Sequence, residues 1–287
     1  MALDVAVVGG HGRIGLLLLQ MLSARGDRAR GLIRNPDHAA EVEATGATAV
    51  GADIENLDAD AIARSIAGVE AVVFAAGAGA GSSPARKHTV DYGGAVKLIE
   101  AAKLAGISRY LIVSAIGVNH PENWSDEMRP YYEAKADADR ELAGSGLDYT
   151  IVRPGGLTDD AGTGLITAAE ELEPERYGMI PREDVAATLL ACLDETSSIR
   201  KAFDEVSGDT PIRDVNRELG IALDEPEGVT TVAGLSTALA GGGIPNPNAR
   251  LAAGDGSVLI VLEASAHVVK RVRIVPPSHV TNHPSPA

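Results

Sequence analysis

Residues 7–15 read VVGGHGRIG, an apolar run followed by Gly9, Gly10, Gly12 and Gly15, with His11, Arg13 and Ile14 between them. Glycine inside regular structure costs about 1 kcal/mol against alanine, so four of them beside the first apolar segment imply a close approach to the backbone. The stretch before them, LDVAVVG, has the character of a buried strand, and RIGLLLLQMLSARG after them has helical periodicity. A glycine turn between a strand and a helix is where a parallel sheet offers a helix N-terminus to a diphosphate. Gly9, Gly12 and Gly15 fit the spacing G-x-x-G-x-x-G. In that pattern the first glycine permits the turn, the second admits a pyrophosphate to the backbone, and the third lets helix and strand pack. The stretch predicts a dinucleotide-binding α/β fold.

The chain around it alternates in the same way. Strand-like runs ARGLI, ATAVGADI, AVVFAAG, YLIVSA, YTIVRP and a short one near AFDEV are separated by helix-periodic stretches. These helices are DHAAEVEATG, DADAIARSIAG, about Arg86 to Leu104, Glu133 to Leu142, and EDVAATLLACL. Apolar strands alternating with helices predict a doubly wound parallel sheet with helices on both faces and right-handed crossovers, a Rossmann fold. Residues 1–222 are assigned to this domain and 223–287 to an irregular C-terminal extension. Within the extension only SVLIVLEA and HVVKRVRIV resemble strands, suited to a hairpin, and the final PPSHVTNHPSPA reads as disordered. The extension carries no recognisable chemistry. It reads as a loosely packed addition, the alternative being a β arm for self-association that would make the protein a homo-oligomer.

Composition excludes several classes. Of the 287 residues 45% are apolar but only 3% aromatic, which predicts an aliphatic core, and the net charge of −15 argues against a nucleic-acid surface. The single cysteine, Cys192, excludes an intrachain disulfide, and its LLACL surroundings read as core. No apolar run approaches the ~20 residues that span a bilayer, and the N-terminus lacks a basic region before a long apolar one. No membrane association is expected, and the expected location is cytoplasmic. Seven histidines lie without metal-ligand spacing, so no metal site is expected, and no G-x-S-x-G suggests a hydrolase.

At the end of the second strand, where NAD-specific sites carry an acidic residue, the chain reads GLIRN. Arg34 there suits the 2′-phosphate of NADP(H), with Arg13 as a second positive charge, so NADP(H) is expected in preference to NAD(H). The bland alternative makes Arg34 a solvated charge at the start of a helix. Asp53 and Ile54 end the third strand, beside the expected adenine. Ala75, Ala76 and Gly77 end the fourth, where small residues leave room for ribose and diphosphate.

With GGHGRIG, SAIGV, YYEAK, YTIVRPGGL, the later GTG and REDVA in this order, the chain resembles the short-chain dehydrogenase/reductase superfamily over about residues 3 to 220. It is most similar to the atypical, single-domain branch near the NmrA-like, flavin reductase-like and epimerase/dehydratase-like proteins. The resemblance implies that Ser114 hydrogen-bonds a substrate carbonyl and that Tyr131 and Lys135, as Y-x-x-x-K, form the acid-base pair. Their separation of four places them on one helical face. A phenol with a pKa of about 10 needs a neighbouring cation to act near neutrality. Lys135 also suits the nicotinamide ribose, and Tyr132 points elsewhere. The bland alternative is a helix start after Pro130 with packed tyrosines and a solvated lysine. The family's usual asparagine is replaced by Asp91 in HTVDYGG, a carboxylate that could hold a water or Lys135, orient His88 or cap backbone. Arg153 and Pro154 leave the sixth strand, and Gly155 and Gly156 turn the chain across the nicotinamide half. The segment LTDDAGTGLITAAEELEPERYGMI should wall the substrate site, and its shortness predicts a small or open cavity.

Two functions follow from these expectations. One is an NADPH-dependent oxidoreductase acting on a small carbonyl, quinone-like or flavin-like substrate. The other is a non-catalytic NADP(H) sensor that signals through a partner. Ser114, Tyr131 and Lys135 together favour the first, while Asp91 and the ill-defined wall favour the second.

Overall fold

The first strand and helix are β1 (Asp4–Val8) and α1 (Arg13–Arg25), joined by the glycine turn. The computed structural model describes residues 2–79, 81–215, 250–252, 258–264 and 269–275. The chain divides into two compact units, Met1–Leu223 and Asp224–Ala287. In the first unit the alternation continues through β2 (Arg28–Ile33), α2 (Ala39–Glu43), β3 (Thr48–Gly51), α3 (Ala59–Ser65), β4 (Ala71–Phe74), α4 (Pro84–Lys87), α5 (Gly93–Leu104) and β5 (Arg109–Val113). It goes on through α6 (Arg129–Ala143), β6 (Asp148–Pro154), β7 (Gly156–Thr158), β8 (Leu165–Ala169), β9 (Met179–Pro181), α7 (Arg182–Asp194), β10 (Lys201–Ser207) and β11 (Thr210–Pro211).

The main sheet has the order β11-β8-β10-β6-β5-β4-β1-β2-β3. It is parallel from β3 to β10, and β8 and β11 close one edge antiparallel. Successive residues of β1 serve opposite faces because side chains alternate along a strand. Val5 and Val7 pack with Leu18, Leu22 and Leu189, while Ala6 and Val8 pack with Ile62, Leu98 and Leu142. Each face thus has its own aliphatic core under its own helices. The chain is a doubly wound Rossmann fold.

Three features depart from the sequence reading. The helix expected from about Arg86 begins at Pro84 and contains one π turn over His88–Tyr92, between α4 and α5. Such a turn widens the ladder locally and is frequent at functional sites; here it carries Asp91 inward. The helix expected from Glu133 begins at Arg129, with Pro130 in its first turn, so α6 includes Tyr131. The expected substrate wall contributes β8 to the sheet, because Ile166 and Ala168 alternate inward.

In the second unit, β12 (Arg250–Ala252), β13 (Val258–Ala264) and β14 (Val269–Val275) form an antiparallel sheet in that order. The two strands read in SVLIVLEA and HVVKRVRIV pair with each other. β12 is an addition, since three residues are too few to show a strand pattern. The disorder expected for PPSHVTNHPSPA, and the irregular structure expected over 228–256 apart from β12, lie outside the described residues.

Candidate functional site

The glycine turn is shaped by backbone contact. Gly9 has φ +83, and a Cβ there would lie 2.8 Å from the Ala76 backbone. A Cβ on Gly15 would lie 2.2 Å from the Gly9 oxygen, so this glycine lets α1 close on the turn. Gly10 abuts Gly31 of β2 and lines neither of the cavities described next, so its place is in packing. Gly12 caps α1 without a side-chain hydrogen bond, and the first turn of that helix holds no acidic residue. The first amides of α1 therefore keep their positive end open to an anion, as a diphosphate requires.

Two cavities lie along the carboxyl edge of the sheet. One, of about 310 Å³, is lined by Gly9, His11, Gly12, Arg34, Asp53 and Ile54 among others. The other, of about 980 Å³, has Ile14, Asp91, Ser114, Tyr131 and Lys135 in its walls, together with Pro154 and Gly155. Ala75, Ala76 and Gly77 line both. The two are halves of one groove with small residues at its waist, and a dinucleotide fits this arrangement. Of the two alternatives expected for the substrate end, small or open, its volume of about 980 Å³ rules out the small one. Of the expected wall segment Leu157 alone lines it, while Leu165–Ala169 joins the main sheet as β8.

At the narrow end His11 stacks on His38 with ring centroids 3.6 Å apart, and its Nε2 lies 3.1 Å from Glu41. Asp53 is engaged in its own turn: Oδ1 accepts from the Glu55 amide at 3.0 Å and Oδ2 from Asn56 Nδ2 at 2.8 Å. Arg13 is not the second charge beside Arg34. Its guanidinium pairs with Asp159, whose other oxygen accepts from Arg182 at 2.7 Å, and Arg13 does not line the narrow cavity. The cation that lines it with Arg34 is Arg86 of α4. Sequence reading missed this residue. Its signal is the Ser83-Pro84 helix start that follows the small-residue run, which puts Arg86 in the first turn after the groove's waist.

At the wide end Lys135 is 4% exposed. Its Nζ lies 3.2 Å from Asp91 Oδ1 and donates to the Val113 carbonyl at 3.0 Å. Asp91 Oδ2 accepts from the Ala78 amide at 3.0 Å. Of the roles open to Asp91 it takes two, holding the lysine and capping backbone, while His88 packs on Tyr92. Burial works against the Lys135 charge, yet the Asp91 carboxylate and the Tyr131 phenol outweigh it and raise its pKa. Lys135 Nζ lies 5.9 Å from the centre of the Tyr131 ring. The phenol nevertheless has a raised pKa, because burial pushes it up further than Lys135 pulls it down, and Asp91 adds to the rise. This corrects the expectation of a lowered value. Tyr131 is held as a protonated phenol.

Ser114 closes β5 and is 2% exposed. Its Oγ completes no hydrogen bond of normal geometry. The Asp139 carboxyl is beside it. Burial raises the pKa of that carboxyl, while Arg153, at 2.9 Å, and the serine oppose the rise. Tyr132, expected to point elsewhere, also lines the wide cavity and stacks on Trp124, with centroids 5.6 Å apart. Behind the groove, GTG and REDVA prove to be two halves of one clamp. Asp184 accepts from the amides of Thr163 at 3.0 Å and Gly164 at 2.8 Å, and Glu183 accepts from that of Gly162 at 2.8 Å. Among the described residues no group of three or more His, Cys, Asp and Glu could hold a metal ion, and no helix is long and apolar enough to cross a membrane.

A family model described as NAD(P)H-binding matches residues 9–196. The chain belongs to this NAD(P)H-binding family. A second model, described as a transporter associated domain, matches residues 205–278, starting inside β10. The chain is 42% identical over 218 residues to a Bacillus subtilis protein named as an uncharacterized sugar epimerase, covering 76% of this chain and 100% of that one. A solved structure from Bacillus halodurans, provisionally assigned as a NAD-dependent epimerase/dehydratase, is 36% identical with TM-score 0.72, covering 76% and 100% of the two chains. The oxidoreductase YlbE from Lactococcus lactis is 31% identical with TM-score 0.68, covering 76% and 97%. The family match and these likenesses bear out the resemblance to the atypical short-chain dehydrogenase/reductases. The match of this NAD(P)H-binding protein to its family begins at Gly9, in the glycine turn that borders the groove.

Proposed function

We propose that this protein is an NADP(H)-dependent oxidoreductase of the cytoplasm that passes hydride to a small carbonyl, quinone-like or flavin-like substrate. The observation that carries the reading is the single groove that runs from two arginines at its narrow end to Tyr131 and the buried Ser114 and Lys135 at its wide end. The dinucleotide, when bound, supplies the hydride. Ser114 Oγ lines the wide end beside the Asp139 carboxyl and can turn its hydrogen from that carboxyl to an acceptor oxygen. Tyr131 keeps its proton at neutral pH and is the donor as charge develops on that oxygen. Lys135, pinned by Asp91 and the Val113 carbonyl, keeps a fixed positive charge near the phenol. The similarity to a protein named as an oxidoreductase supports hydride transfer, and the net charge of −15 argues against nucleic acid as a partner.

A second reading is favoured by one observation. The transporter associated match over 205–278 adds to the Rossmann unit a module that the Bacillus subtilis relative, covered completely by 76% of this chain, does without. In that reading the protein senses NADP(H) and signals to a transport protein without turnover. Steady-state oxidation of NADPH and NADH, with a panel of quinones, flavins and aldehydes, separates the two. Turnover with a preference for NADPH supports the oxidoreductase. Tight NADPH binding without turnover on any member of the panel supports the sensor.

A further inference from the structure

Arg34 and Arg86 reach the narrow cavity from opposite sides, one from the loop after β2 and one from α4. Both point at the same atom. Glu55 Oε2 lies 3.8 Å from Arg34 Nη1 and 3.2 Å from Arg86 Nη2. Charge-assisted hydrogen bonds between guanidinium and carboxylate run at about 2.7–2.9 Å, so neither contact is a full one. Among the described residues neither guanidinium donates a hydrogen bond of normal geometry, whereas Arg109 donates to Asp148, Cys192 and Ser198. Two arginines therefore face one cavity with their donors unspent.

Glu55 is not placed there by chance rotation of a surface side chain. Its Oε1 accepts from Thr89 Oγ1 at 2.7 Å, and Lys97 Nζ donates to the backbone carbonyls of Glu55 at 2.7 Å and Leu57 at 3.0 Å. The loop and the carboxylate are both anchored, so Oε2 is presented between the arginines as a fixed single charge. A phosphate monoester brings more charge and three acceptor oxygens, enough to take short hydrogen bonds from both guanidiniums at once.

We infer that Arg86 is the second arm of the 2′-phosphate site, and that Glu55 holds the phosphate's place between Arg86 and Arg34 in the free protein. The inference rests on the NADP(H) reading and assigns to it a residue pair outside the glycine turn. Glu55 keeps two like-charged arms close together without a ligand, and its negative charge also opposes the phosphate. Discrimination between NADP(H) and NAD(H) is therefore set by three residues from three separate segments, not by Arg34 alone.

Calorimetric titration of the full chain with 2′,5′-ADP and with ADP tests this. Arg86→Ala should weaken 2′,5′-ADP about tenfold or more, the scale of a charge-assisted hydrogen bond, and leave ADP unchanged. Arg34→Ala should do the same. Glu55→Gln, which keeps an acceptor for Thr89, should tighten 2′,5′-ADP several-fold and leave ADP unchanged. If the parent binds both probes equally, the NADP(H) reading itself fails. If the parent prefers 2′,5′-ADP and Arg34→Ala removes the preference while Arg86→Ala does not, the second arm is wrong and the reading stands. Glu55→Gln with unchanged or weaker 2′,5′-ADP binding would overturn the place-holding role. Thermal unfolding of each variant shows whether a loss comes from the site or from misfolding.

Discussion

Lys135 Nζ lies 3.2 Å from Asp91 Oδ1 in an ion pair whose side chains are 5% and 2% exposed. An ammonium this deep is stable only because a carboxylate and a carbonyl meet it. Removing one partner of a buried pair costs about 3–5 kcal/mol, because the other charge is left uncompensated. Asp91→Asn, which removes the charge and keeps an acceptor for Ala78, should therefore destabilise the protein by about 3 kcal/mol in urea unfolding. A loss below about 1 kcal/mol would mean that water or another group already carries the lysine's charge.

The Tyr131 phenol is raised by burial against the pull of Lys135, and this gives the pH profile a sign. A proton donor works while it is protonated. The rate of substrate reduction should stay level through neutral pH and fall only as pH rises past the ordinary phenol value of about 10. Tyr131→Phe should lower kcat by about 10²–10⁴ and abolish that alkaline limb. A limb that survives the substitution would place the proton elsewhere.

Glu205 makes stability depend on pH in the opposite sense to most carboxylates. It is fully buried on β10, and burial raises its pKa from 4.5 to about 8, with Asp184 adding to the rise and Thr188 opposing it. Its folded pKa exceeds its unfolded value, so its contribution is complete below about pH 4.5 and is lost as pH rises through about 8. Asp204, raised by burial to about 6, acts in the same direction over a lower range. The melting temperature of the parent should fall between about pH 5 and about pH 8, and that of Glu205→Gln should fall less. Equal slopes would show that Glu205 does not take up a proton on folding.

The sheet was legible because its central strands β1, β4 and β5, buried along nearly their whole length, read as near-continuous apolar runs. Gly9 and Gly15 were legible because their spacing records backbone contact that any side chain would block. Tyr131, Lys135 and Ser114 were singled out by the family resemblance, with the Y-x-x-x-K spacing and the strand end beside it, and the structure brings all three to one cavity. What sequence could not supply was direction. Arg13 sits in the glycine turn, yet its side chain turns to Asp159, while Arg86, fifty-two positions beyond Arg34, turns to meet it across Glu55. The π turn that carries the buried Asp91 packs against α6, a tertiary contact that no local pattern records. Nor does periodicity reveal the balance of burial and charge at Tyr131, which depends on groups from α6 and from the π turn.

Hydride transfer in the groove is tested most directly by a single turnover. Protein saturated with NADPH is mixed with each of the carbonyl, quinone and flavin substrates while the nicotinamide absorbance is followed, with protium and then deuterium at the transferring carbon. The expected result is a decay with at least one substrate that slows with deuterium in the parent protein and slows further in Tyr131→Phe. Bound NADPH whose absorbance stays constant with every substrate would contradict it.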